Sequence, residues 1–233
     1  MVRSGAVLVA LALAGAILLV LWRGVPGGAL DLGDRRARAA GPALVALGSD
    51  FAGCRAALDR AGVRYEALPA RREGPHCGYD DAVRLGPGGA RAIGFVPANL
   101  GMACPVAAAL AMWEWDVVQP AALRHFGRPV TAIEHFGSYN CRRIAGRDAR
   151  SWSEHATADA VDIAAFRFAD GRRLSIVNDW QGKGPAARFL REVRSGACPL
   201  FATVLSPDYN AAHRDHFHLD QARRGDWGWR ACR

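Results

Sequence analysis

The chain has 233 residues, 51% of them hydrophobic and 22% charged, with 30 Lys and Arg against 22 Asp and Glu. That size and apolar content exclude a disordered chain and a mini-protein, and they allow one domain or two small ones. Only Lys183 among the basic residues is a lysine, so guanidinium groups carry almost all of the net charge of +8. Basicity alone suits nucleic acid, anionic lipid or an acidic polymer equally.

After a short tail at 1–5, residues 6–22 (AVLVALALAGAILLVLW) form an unbroken apolar run. As a helix it would reach roughly 25 Å at about 1.5 Å per residue, just short of a ~30 Å hydrocarbon core. It is longer than the hydrophobic core of a secretory signal and ends in Trp22 and Arg23 with no small-residue cleavage site behind it, which favours an uncleaved membrane anchor over a cleaved signal. Residues 23–47 are rich in Gly, Ala, Pro and Arg and show no sustained apolar period, so they read as a flexible linker. Outside these segments, residues 48–233 carry 25 basic and 20 acidic residues, a mild excess that argues against a nucleic-acid binder.

Two signals conflict over which side of the membrane the domain occupies. Arg23 and the cluster Arg35, Arg36 and Arg38 would hold it in the cytoplasm by the positive-inside rule. The six cysteines, Cys54, Cys77, Cys104, Cys141, Cys198 and Cys232, lie beyond the anchor, form no CxxC pair, and read as three disulfides in an oxidising compartment. The cysteines weigh more, which gives a single-pass inner-membrane protein with its domain in the periplasm, or a secreted one if the segment is cleaved. Pairing between neighbours in sequence (Cys54 with Cys77, Cys104 with Cys141, Cys198 with Cys232) is the working expectation.

In the globular part, FAGCRAALDRA at 51–61 repeats apolar positions at helical spacing and Gly62 follows as a stop signal. VRYEAL reads as a strand, 73–90 as a loop rich in Gly and Pro, and AIGFVPA as another strand. The strongest helix runs from Pro105 to about Phe126, with Pro120 expected to kink or split it. Trp113 and Trp115 are two apart and cannot share a helical face. PVTAIEHFGSY, DAVDIAAFRF and RRLSIVND read as strands, the last two joined by an Asp170-Gly171 hairpin turn. A helix follows at about 184–195, then the strands LFATVLS and DHFHLDQ. The fold class is α+β: one domain at 48–233 built on a central, largely antiparallel sheet flanked by helices.

Four of the seven histidines lie in two segments. In HRDHFH, His216 and His218 are two apart on a short strand and leave the same face, with Phe217 and Leu219 on the other. In SEHATADAVD, Asp162 lies on a strand and His155 in the loop before it, with Ala160 and Ala164 beside Asp162 leaving room on its face. Two histidines and a carboxylate with a fourth position open to water form a typical catalytic zinc set, unlike the closed four-ligand structural sets. No GxSxG elbow, Walker loop or GxGxxG is present. Spacing alone leaves the division of roles among His213, His216 and His218 open.

SEHATADAVD resembles the SxHxxGxAxD motif of the D-alanyl-D-alanine metallopeptidase superfamily, with Ala158 where glycine is usual. HRDHFH resembles the HxxHxH of penicillin-insensitive murein endopeptidases, within the Hedgehog-like zinc fold, in place of the ExxWH of the carboxypeptidases. The run from Cys104 to Cys232 (PVAAAL, VVQPAALRHFG, GSYNCRR, SEHATADAVDIAAF, VLSPDYN, HRDHFHLD) is similar to the bacterial extensin-like C-terminal domain family, a likeness covering essentially all of 48–233. The resemblance implies His155, Asp162 and His218 as zinc ligands, His216 as the proton-transfer residue and His213 as an auxiliary that holds water or polarises an oxyanion. Arg142 and Arg143 match an arginine position that could clamp a peptide carboxylate. On the strand argument Asp215 points away from the histidines and is structural.

The function expected is zinc-dependent hydrolysis of peptide bonds in peptidoglycan, by an endopeptidase or carboxypeptidase, with peptidoglycan peptides and the membrane as partners and no nucleic acid. The rival is a non-catalytic zinc-containing module that binds the cell wall or serves a structural role in the envelope.

Overall fold

The computed structural model describes residues 30–33, 40–144, 151–224 and 230–233. The apolar run at 6–22 lies outside the described residues, and among those described no helix is long and apolar enough to cross a membrane. The end of the stretch read as a linker is folded: α1 (Gly41–Ala46) starts with Pro42 in its first turn and buries Leu44 fully, and Leu32 is buried ahead of it. This turn and a half is too short to show an apolar period, yet a single leucine seated in the core ties it to the domain.

Helix α2 (Phe51–Arg60) is capped by Asp50, whose Oδ1 accepts the Gly53 N–H at 2.8 Å. The strands β1 (Val63–Ala67), β2 (Arg71–Arg72), β3 (Gly78–Tyr79) and β4 (Ala82–Gly89) follow. β4 corrects the expectation of a loop across 73–90, because it buries Ala82, Val83 and Leu85 and pairs antiparallel with β1. The Gly86-Pro-Gly-Gly run at its end hid that alternation from the sequence. β5 (Gly94–Val96) and β6 (Gly101–Ala103) lead into α3 (Cys104–Trp113), whose ten residues are all buried, as befits a helix apolar all round.

The break expected at Pro120 is absorbed differently. Residues Glu114–Val118 form a π turn in which the Gln119 N–H reaches back to the Glu114 carbonyl, and α4 (Gln119–Phe126) then starts with Pro120 in its first turn, where the missing N–H is harmless. The widened turn lets two tryptophans satisfy their indole N–H groups on opposite sides. Trp113 is fully buried and donates to the Val193 carbonyl, whereas Trp115 donates to the Ala90 carbonyl. Glu114 points inward, accepting from the Ala92 and Ile93 N–H groups and pairing with Arg91 at 2.8 Å, both side chains being 2% exposed.

The main sheet adds β7 (Val130–Gly137), β8 (Ala160–Phe168), β9 (Arg173–Ser175), β10 (Thr203–Leu205), β11 (Phe217–Asp220) and β12 (Ala231–Cys232) in the order β12-β10-β11-β8-β7-β5, with β9 paired to β8. Among the described residues only the β5–β7 and β10–β12 pairings are parallel. Gly171 takes φ 84° in the β8–β9 hairpin, where Asp170 accepts the Arg172 N–H, as the Asp-Gly signal predicts. The strand expected over RRLSIVND ends at Ser175, because Ile176–Asp179 turns into the short helix α5 with Asp179 accepting the Ser175 N–H. Helix α6 (Pro185–Ala197) covers the sheet, burying Phe189 among Phe126, Phe166 and Phe168.

The disulfides are Cys54–Cys104, Cys77–Cys141 and Cys198–Cys232. Pairing of sequence neighbours holds only for the last. The other two cross because Cys104 opens α3 against α2, which carries Cys54, while Cys77 sits in the β2–β3 excursion that reaches the segment after β7.

Replacing Glu114 with Gln leaves the Arg91 guanidinium buried without its countercharge and should cost about 3 kcal/mol, by the general cost of breaking a buried pair from one side. Urea unfolding of the two proteins measures it.

Candidate metal centre

The candidate metal centre is built on the β11–β8–β7 portion of the main sheet. Asp162 on β8 stands directly opposite His218 on β11 and opposite Gly137 on β7, so a carboxylate and an imidazole project side by side while a glycine keeps the third strand clear. His155 comes from the 3₁₀ turn Glu154–Thr157, which Ser153 caps by accepting the His155 N–H. That turn closes at Ala158 with φ 58°, among the described residues the only one other than glycine with positive φ. The departure from the usual glycine is thus an alanine in the left-handed conformation. It is held there because its carbonyl accepts from both the Ala103 N–H and the Ser138 hydroxyl, and its N–H donates to the His155 carbonyl.

His155 Nε2 lies 3.1 Å from Asp162 Oδ2 and 3.2 Å from His218 Nδ1, and His218 Nδ1 lies 3.0 Å from Asp162 Oδ1. Bonds of roughly 2.0–2.1 Å to a tetrahedral ion would put neighbouring ligand atoms about 3.3 Å apart. The rest of the hydrogen bonding fixes where the lone pairs point. His155 Nδ1 can only donate to the Ser138 carbonyl at 2.6 Å, and His218 Nε2 donates to the Asp220 carboxylate at 3.1 Å. Both remaining ring nitrogens therefore face each other and an ionised Asp162, an arrangement that needs a cation at its centre. Among the described residues, His155, Asp162 and His218 form the one such group of three possible ligands.

Without a metal, a proton takes the cation's place. Burial disfavours charge on His218, but the hydrogen bonds to Asp162 and Asp220 outweigh it and hold the imidazole up at about 9. Burial likewise works against the Asp162 carboxylate, and its bonds to His155 and His218 override this and keep it well below the usual carboxylate range.

The other two histidines line the open side. His216 Nδ1 is 2.9 Å from Asp215 Oδ1, and its Nε2 lies 3.6 Å from Asp162 Oδ1, facing the centre. This corrects the reading of Asp215 as pointing away: Asp215 lies just ahead of β11, where strand alternation does not yet apply, and it orients the His216 ring. His213 Nδ1 donates to Asn210 Oδ1, which also accepts the Ala212 N–H, so Nε2 carries the lone pair. Burial, and then the neighbouring His216 and His218, lower the His213 pKa to about 4. Neutral His213 can accept a hydrogen bond from water through Nε2, but it cannot donate from there to an oxyanion, which narrows the role expected for it.

Arg142 is close enough for its charge to help keep His213 neutral. The Arg143 guanidinium instead lies over the Trp152 ring at 4.7 Å, and Trp152 stacks on His76. Sequence reasoning missed Asp220, which is 1% exposed and held by the Ala222 N–H and Arg224. The signal was available: Asp220 lies two residues past His218 on β11 and shares its strand face. Asp220 pairs across from Ala160, so the room beside that small residue is filled from β11, whereas Ala164 opens onto a cavity. Of the remaining histidines, His125 pairs with Glu192 and His135 bonds to the Pro97 carbonyl, while Glu134 is taken by Arg167 and Arg173.

Two outcomes follow from this geometry. Ala158→Gly relieves a left-handed alanine at about 1–2 kcal/mol but loses a buried methyl worth about 0.8 kcal/mol and loosens the unfolded chain. It should stay within about 1 kcal/mol of wild type in urea unfolding, while Ala158→Val, branched and buried in the same conformation, should cost about 3 kcal/mol or more. The raised His218 pKa stabilises the metal-free fold fully below an ordinary histidine pKa of about 6.5, and this is lost as pH rises through about 9. Thermal melts of the metal-free protein should fall over that window, those of the zinc-loaded protein should not, and His218→Ala should remove the difference.

No curated protein and no solved structure matches this chain. The family described as extensin-like protein C-terminus matches residues 52–233, a span that takes in every side chain of the centre. The chain therefore belongs to the extensin-like protein C-terminus family.

Proposed function

We propose that this protein is a zinc-dependent peptidase of peptidoglycan, related to the D-alanyl-D-alanine metallopeptidases and murein endopeptidases. The observation that carries the proposal is the convergence of His155 Nε2, Asp162 and His218 Nδ1 within 3.2 Å of one another, with an open side facing His216 and His213. Three protein ligands with a free position are the pattern of catalytic zinc, and the oxygen and imidazole donors suit that ion. Zinc bound there supplies Lewis acidity and activates water at neutral pH.

The chain's own residues do the rest. Asp215 fixes the His216 ring so that Nε2 faces the reacting position and can take a proton and return it to the leaving amine. His213 Nε2 accepts a hydrogen bond from the attacking water, and Arg142 offers a guanidinium for a peptide carboxylate. The Ser138 carbonyl and the Asp220 carboxylate hold both ligand imidazoles in one tautomer and orientation.

Three disulfides suit an oxidising compartment, which favours a periplasmic domain tethered by the 6–22 segment. The mild basicity suits an anionic envelope and is too sparse for nucleic acid.

His155→Ala and Asp162→Ala should lose zinc, and with it hydrolysis of muropeptides as followed by mass spectrometry of the products. His216→Ala should keep zinc but slow turnover by about 10²–10⁴-fold, the usual worth of general acid–base catalysis. A zinc-loaded wild type inert on both stem and cross-linked muropeptides would instead establish the non-catalytic cell-wall module.

A further inference from the structure

Two cavities flank the metal centre and share one wall, the ridge of Pro97, His135 and Phe136. Phe136 is 62% exposed and its ring meets the His216 ring edge-on. The first cavity, about 410 Å³, begins at Ala164 and Asp215 and is walled by Val96 and Val177. Its charged groups balance: Glu134 is already bound by Arg173, and Asp215 stands beside Arg214 in the chain. The second cavity, about 430 Å³, borders Gly137 and Ser138, the residues that sit opposite Asp162 and hold His155.

In the second cavity the cations lie in the lining and their acids outside it. Arg71 and Arg84 line it together with Tyr79, Tyr139 and Asn99, and no carboxylate does. Two acids stand behind the arginines. Glu73 takes Arg71 and the Tyr139 hydroxyl, and Glu66 takes Arg84 Nη1 at 2.7 Å. Glu73 spends one oxygen on each partner, and the Arg71 guanidinium is fixed over the Tyr139 ring at 4.3 Å, so the cation is positioned before a ligand arrives. Arg84 bonds Glu66 through Nη1 while its side chain stays 39% exposed, so its guanidinium is open to a further acceptor. Arginine presents a planar fork matched to a carboxylate.

We propose that the Arg71–Arg84 cavity is a subsite for a free carboxylate of the bound peptide, opposite a cavity that takes an uncharged segment. This rests on the peptidase reading and assigns it a substrate class: a peptide bearing a carboxylate within reach of the scissile bond. That carboxylate has two sources. A chain-terminal α-carboxylate in the subsite makes the protein a carboxypeptidase; the side-chain carboxylate of a diamino dicarboxylic residue leaves the chain free to continue and makes it an endopeptidase.

The test is calorimetric titration of the zinc-loaded full chain carrying His216→Ala, so that peptide is not consumed, with a stem peptide in three forms. One has both carboxylates free, one has the α-carboxylate amidated, and one has the side-chain carboxylate amidated. One amidation should weaken binding about 10-fold or more, and which one identifies the source. Arg84→Gln and Arg71→Gln, each added to that chain, should weaken binding of the free acid by a similar factor and abolish the difference between acid and amide, while Arg84→Lys should keep part of it. Melting temperatures near the parent's confirm that both variants fold. Equal binding of all three peptides, or discrimination that survives in both Gln variants, overturns the subsite. Carboxylate discrimination in the His216→Ala chain, together with a zinc-loaded wild type that cleaves none of the three peptides, would keep the subsite and overturn the peptidase reading.

Discussion

The meeting of two imidazole lone pairs and a carboxylate at one point is the constraint to which the rest of the centre is fitted. Left to themselves, His155 Nε2, His218 Nδ1 and Asp162 would repel, and only a cation at their focus makes the arrangement favourable. The focus survives because each partner is over-determined. The β8–β11 register places Asp162 opposite His218, the left-handed turn at Ala158 brings His155 back over the sheet, and the Ser138 carbonyl and Asp220 carboxylate prevent either ring from flipping. Removing any of these supports frees a ring nitrogen to find another partner.

The supports draw on distant parts of the chain. Ala103, at the end of β6, donates to the Ala158 carbonyl, which ties the small β1-β4-β6 sheet to the turn that carries His155. The Cys77–Cys141 disulfide holds the β2–β3 excursion against the segment after β7, and from that excursion Arg71 and Tyr79 reach the second cavity. Farther back, Glu114 in the π turn caps the approach to β5, and Pro97, just beyond β5, receives the His135 ring in the ridge between the cavities. A buried ion pair in the core thus anchors the backbone that leads through β5 into that ridge.

What the sequence disclosed of this arrangement follows from how local each signal is. β7, β8 and β11 were legible because alternation and the Asp170-Gly171 turn act over a few residues, and the clustered histidines needed only the two-residue strand period. The crossed disulfides and β4 were not, since one depends on which elements meet in space and the other is hidden by glycine and proline that here make up the second half of the strand. Asp215 failed for a subtler reason. Strand logic was extended two residues too far, into a turn where the side chain bonds the His216 ring. Asp220 lay in plain view two residues past His218, but nothing in a linear motif distinguishes a ligand from the group that orients it.

The energetics of the fold bear on the choice between a catalytic and a structural metal. Small domains that depend on zinc lack a core large enough to fold without it, and their metal sites are closed by four ligands. Here one continuous core runs from Leu44 through α3 and α6 to Leu219, and three disulfides already restrict the unfolded chain. A three-ligand site at the sheet surface adds little that such a fold needs for stability. It also imposes costs, a strained alanine and the buried charges of Asp162 and His218, which a well-packed apolar patch would avoid. Strain and buried charge gathered around one open side of the candidate centre support the proposed catalytic reading over a scaffolding one.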